Sequence, residues 1–178
     1  MKSLDIVVMC KLFILQNKGD KNWTYAKLAK GACLSVGEVH ASVRRLKKSG
    51  LFDELTKSVI PQAMEEFLIH GVKYAFPSDI GTLERGISTS HSAQILKGDI
   101  VQSEKDVYVW PYAKGRERGL AVDPLSRSAP KAALKDELLY GFLALVDALR
   151  IGRAREKNLA AKKLRKMMQT KRDNVSQQ

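Results

Sequence analysis

At 178 residues the chain is long enough to bury one substantial core, since chains of about 150 residues bury roughly two-thirds of their surface on folding. Its hydrophobic fraction of 44% is ordinary for a soluble globular protein and excludes a disordered chain. The formal charge of +12 sits at two basic ends. Residues 1–60 carry 11 Lys/Arg against 5 Asp/Glu, residues 61–130 carry 8 against 9, and residues 131–178 carry 12 against 5. Concentrated positive charge favours a polyanion, nucleic acid first; the competing reading is a solubilising surface.

Cys10 and Cys33 are the only cysteines, and neither lies in a CxxC motif or beside clustered histidines. No zinc or other metal site is expected, and no cofactor. The run Leu4–Leu15 is shorter than the ~20 apolar residues a membrane span needs. Asp5 and Lys11 interrupt it, and no small-residue cleavage site follows, so it reads as a buried first helix of a cytoplasmic chain with no membrane partner.

Ser3 is placed to cap that helix, which runs to about Gln16 and ends at Gly19. Thr24 caps a second helix to about Lys30, and Gly31–Leu34 make a turn. Ser35-Val36-Gly37-Glu38 fits a capping box opening a third helix, with Gly50 at its end. Leu51–Ile60 holds one or two short strands at most. Pro61 starts a fourth helix to about Gly71, with Met64, Phe67 and Leu68 facing inward.

Residues 77–129 are punctuated by Gly81, Gly86, Gly98, Gly115 and Gly119. Val107–Trp110 and Leu120–Val122 are the best strands there and suggest a hairpin. From Pro130 a short helix restarts at Asp136. Leu134, Leu138, Phe142, Leu145 and Leu149 form a helical apolar stripe. Gly152 breaks it, Arg153–Met168 continues as a basic helix, and Gln169–Gln178 reads as a frayed tail.

Thr24-Tyr-Ala-Lys-Leu28-Ala29, the turn, and Leu34-Ser35-Val36 through Val39, Val43 and Leu46 have a spacing with a physical reason. A small Ala29 lets two helices cross, Leu34 plugs the turn, and Val36, Val39, Val43 and Leu46 put one face of the third helix on the core. The segment resembles the helix-turn-helix of winged-helix regulators of the MarR type, over residues 4–76. Val109-Trp110-Pro111 and Leu145–Arg150 are similar to stretches in uncharacterised bacterial winged-helix proteins, a likeness that assigns no chemistry. Two departures from the MarR pattern stand out: Cys33 occupies a turn position usually held by glycine, and the wing is minimal.

The resemblance implies a mainly α fold with a small β component. It divides into a winged helix-turn-helix (1–76), a loop-rich middle (77–129) and C-terminal helices (130–178). It also implies a transcriptional regulator, not an enzyme, that reads double-stranded DNA in the major groove. The free face of the third helix, Gly37, His40, Ala41, Arg44, Arg45 and Lys48, would carry the contacts, with Thr24 and Ser35 at the helix starts. A solvated basic face is the alternative.

The leucine stripe Leu134, Leu138, Phe142, Leu145 and Leu149 is expected to form a homodimer seam, or else to cover Leu4–Leu15 within the chain. The basic run Arg150–Lys166 either touches DNA flanks or is a solvated face. The long middle keeps open a second function, an antitoxin-like nucleic-acid-binding subunit with a protein partner. Ser88-Thr89-Ser90-His91 and the scattered acids Asp79, Glu84, Asp99, Glu104 and Asp106 offer no spacing that supports catalysis. Trp110 and Tyr112 beside Pro111 read as hairpin anchors sooner than as a base-stacking site.

Overall fold

Helix α1 (Leu4–Asn17) is covered on nearly every side, with Ile6 through Cys10 fully buried. The computed structural model describes residues 1–20, 22–98 and 107–169. The expectations for Asp99, Glu104, Asp106 and the tail beyond Gln169 lie outside those residues. Ser3 does not cap α1: its backbone is already helical, and Asp5 instead accepts the Lys2 N–H at 2.7 Å. Gly19, at φ +75°, ends the helix as its left-handed residue.

The next elements follow local signals closely. Helix α2 (Tyr25–Ala32) is capped by Thr24, whose hydroxyl accepts the Lys27 N–H. Cys33 takes the left-handed conformation at φ 53°, the geometry for which glycine is ordinarily used. Helix α3 (Val36–Lys48) opens on a complete capping box between Ser35 and Glu38. Its buried face is Val39, Ser42, Val43 and Leu46. Val36, expected on that face, is 46% exposed, because it lies in the first turn at the open start of the helix.

Strands β1 (Phe52–Asp53) and β2 (Ser58–Val59) pair antiparallel as a two-residue wing. Helix α4 (Pro61–Glu66) passes through a π turn at Phe67–Gly71 into α5 (Val72–Ala75). Met64, Leu68 and Val72 are fully buried along it, while Phe67 is only half-buried, edge-on to Phe76.

The middle region holds more structure than a hairpin. Strand β3 (Ile80–Ser88) pairs antiparallel with both β4 (Tyr108–Pro111) and β5 (Glu117–Val122). Strands β4 and β5 run parallel, so the three close on one another and the expected β4–β5 hairpin is absent. Such mutual pairing demands close backbones. A Cβ on Gly86 would lie 2.0 Å from the Trp110 carbonyl oxygen, and one on Gly115 would lie 2.1 Å from that of Gly86. Between β3 and β4 lie a 3-10 turn at Ser90–Ser92 and the short α6 (Gln94–Lys97).

Helix α7 (Ala129–Ala133) precedes α8 (Glu137–Ile151), which Asp136 caps by accepting the Leu138 and Leu139 N–H groups. Gly152 separates α8 from α9 (Ala154–Gln169). The fold is mainly α with a small β component: a winged helix-turn-helix, a central stranded region and C-terminal helices.

The expected dimer seam is largely spent inside the chain. Phe142, Leu145 and Leu149 are buried, and Phe142 meets Phe13 of α1 edge-on at 5.7 Å. Only Leu134 (60% exposed) and Leu138 (45%) face outward. The physical reason is that α1 is apolar on most sides and needs a cover on the side away from α2 and α3, and α8 supplies it. Lys11 of α1 adds an ion pair to Asp136 at the head of α8. Among the described residues, no helix is long and apolar enough to cross a membrane.

Candidate nucleic-acid interface

The helix-turn-helix leaves one face of α3 outside the core, and the wing stands beside it. Between them lies a groove of about 750 Å3. Thr24, Gly37, His40, Ala41 and Arg44 all line it, so five of the residues singled out from sequence come together. Gly37, His40 and Arg44 are exposed and Ala41 is half-buried. Small residues at the start of α3 allow close approach, and the cation follows one turn later.

The remaining three are elsewhere. The Ser35 hydroxyl is engaged in the capping box, accepting the Glu38 N–H at 3.2 Å and donating to the Glu38 carboxylate at 2.6 Å. These contacts hold the Glu38 carboxyl below its usual range. Lys48 is exposed but outside the groove. Arg45 is turned inward: its Nε and Nη2 donate to Asp5 at 2.8 and 2.6 Å. Asp5 is fully buried. Burial pushes its carboxyl upward, but the hydrogen bonds from Arg45 and the Lys2 N–H outweigh that and hold it below the usual carboxylate range. Arg45 therefore fastens α3 to the start of α1, and it is not available to DNA.

The groove has residues that periodicity missed. Tyr25 lies flat against His40, ring centroids 3.6 Å apart and planes within 12°. Trp23 stands edge-on to Tyr25 and to Phe52 of the wing, and its indole donates to the Lys57 carbonyl at 3.0 Å. Lys47 and Lys57 complete the cationic lining, with Lys47 paired to Glu54 of the wing. The signal for Trp23 and Tyr25 was their position flanking the Thr24 cap, where a side chain must leave the core side of α2. Arg44, Lys48 and Lys57 have no ion-pair partner among the described residues.

The other polar cluster is internal. Asp147 of α8, 1% exposed, accepts from Thr89 at 2.8 Å, from the Trp110 indole at 2.5 Å and from Arg150 at 2.6 Å. Arg150 also donates to the Phe76 carbonyl at 2.8 Å and the Asp123 carbonyl at 3.2 Å. Burial dominates at Asp147 and pushes its carboxyl upward despite these partners. Ser90 and His91 are buried beside this network, with the His91 ring edge-on to Tyr108. Trp110 is thus an internal hydrogen-bonded anchor, and Arg150 is engaged inside the protein and does not belong to an exposed basic run. Asp79 and Glu84 are exposed and far from any such arrangement. Among the described residues, no group of three His, Cys, Asp or Glu side chains gathers as a metal site. Burial pushes the Cys10 thiol up to about 12, which makes it a core residue without reactivity.

Comparison with protein-family models, with curated proteins and with solved structures finds no match for this chain.

Proposed function

We propose that the protein is a winged helix-turn-helix regulator of transcription, similar to the MarR type, that binds double-stranded DNA with α3 in the major groove. The observation that carries this is the groove between α3 and the wing, where Gly37, His40, Ala41 and Arg44 lie beside Lys47 and Lys57. Arg44 would read a base edge or a phosphate, and Lys48 and Lys57 phosphates. A cytoplasmic location and a non-enzymatic role go with this reading. A homodimer goes with it as well, since symmetric sites pair recognition helices, but Leu134 and Leu138 are what remains of the C-terminal stripe to support it.

One observation favours a second reading, an antitoxin-like subunit with a protein partner. Strand β3 exposes Ile80 and Leu83 on a stranded unit that the helix-turn-helix does not need. Recovery of genomic DNA on the purified protein tests the regulator reading, and a protein that co-purifies with the chain would favour the second. The regulator reading expects a few discrete sites, lost when His40 and Arg44 are both replaced by alanine. Each phosphate contact should add ~0.9 to the slope of log affinity against log salt. Unspecific recovery with a flat salt response overturns it.

A further inference from the structure

The wing is too small to lie along a groove, yet its tip is built with care. Asp53 accepts the Leu55 N–H at 3.0 Å and the Thr56 hydroxyl at 2.7 Å. The Thr56 and Ser58 hydroxyls share a further bond at 2.6 Å. Lys57 takes the left-handed conformation, φ 49°, and its carbonyl is held by the Trp23 indole. The backbone of the turn is thus tied to its neighbours and to the body of the protein, Leu55 included through its N–H. The Leu55 side chain is left 96% exposed at the apex.

A single exposed leucine on a surface is commonplace. A leucine presented by a turn locked on both sides differs, because its insertion into a partner costs little ordering of the backbone. Its place also matters: Glu54 and Lys57, on either side of the turn, line the same groove as His40 and Arg44. A duplex seated on α3 would meet the wing tip next.

We propose that Leu55 is an apolar wedge that enters the minor groove beside the α3 site, parts a base step and kinks the DNA. The occupant is the same duplex that α3 reads, so the inference rests on the DNA-binding reading. Leucine is among the side chains able to unstack a step in this way, and bends of about 20–90° result. Lys57 supplies a cation for a phosphate flanking the opened step, and the indole bond at its carbonyl keeps the tip from folding back under load.

The test uses the full-length chain to select duplexes from a random-sequence pool, then labels the recovered duplex with a dye at each end. Energy transfer should rise when the wild-type protein binds. Leu55→Asn should bind the same duplex and leave it straight, and Leu55→Met should restore the bend. The fully exposed position keeps both variants folded, which circular dichroism checks. A duplex that stays straight under the wild-type protein, or one bent equally by Leu55→Asn, overturns the wedge and leaves DNA binding standing. Failure to recover any duplex overturns the DNA-binding reading and the wedge together.

Discussion

Replacing Arg45 with alanine tests whether α3 is fastened to α1 by charge. The substitution strands Asp5, which is fully buried and keeps only the Lys2 N–H of its strong partners. Breaking a buried pair from one side costs about 3–5 kcal/mol. The Arg45 side chain is 26% exposed, so its truncation lets some water reach the carboxylate, and a loss near the lower figure, about 3 kcal/mol, is expected. The pH dependence has a definite sign. In the wild type the Asp5 pKa is lowered, so its contribution is complete above the ordinary carboxylate range and fades as pH falls through the lower folded value. In the variant the lowering by Arg45 is gone and burial is opposed by the Lys2 N–H and Ser42 alone, so the pKa rises from its wild-type position and protonation relieves the cost on acidification. Urea unfolding at pH 7 and near pH 4 should show the difference between the two proteins shrinking at the lower pH. A difference that is the same at both pH values would refute the charge argument and point to lost packing. Adding Asp5→Ala to Arg45→Ala should recover part of the loss; strict additivity would refute the pairing.

Three further outcomes follow from the same geometry. Arg44→Ala should weaken specific binding by ~1–3 kcal/mol with unchanged stability, read by fluorescence anisotropy on a selected duplex; unaltered affinity would remove Arg44 from the interface. Cys33→Gly should hold stability level or raise it by up to about 1 kcal/mol, because glycine relieves the positive φ while adding chain entropy. A clear drop in its urea midpoint would mean the thiol contributes packing. Gly86→Ala should destabilise by about 1–3 kcal/mol or more, since the added methyl meets the Trp110 carbonyl at 2.0 Å; an unshifted melting temperature would show that the strands can part.

What could be read in the sequence was mostly local. The Thr24 cap, the Ser35–Glu38 box, Pro61 and Gly152 act over three or four residues, and each marks the boundary it should. Strand β3 was illegible because Ile80-Gly-Thr-Leu-Glu-Arg-Gly-Ile lacks strict alternation, and its partners lie more than twenty residues away. At the candidate site Arg44 and Arg45 are alike in chemistry, but neighbours on a helix are about 100° apart, so one faces the groove and the other Asp5. A signal for the difference existed: an acid inside the apolar run of α1 calls for a cationic or hydrogen-bonding partner. Asp147 and Arg150, three residues apart in the apolar α8, carry the same signal. The leucine stripe misled because periodicity shows that a helix has an apolar face without saying which surface meets it.

Helix α1 serves two masters. One side backs the helix-turn-helix through the Asp5–Arg45 fastening, and another receives α8 through Phe13 against Phe142 and Lys11 against Asp136. The segment 1–76 therefore has no floor of its own; excised, it would turn the α8-facing side of a largely apolar helix toward water. The three segments contribute to one hydrophobic core, so they are expected to unfold together. A tilt of α8 would reach α3 through α1, the helix that packs against both.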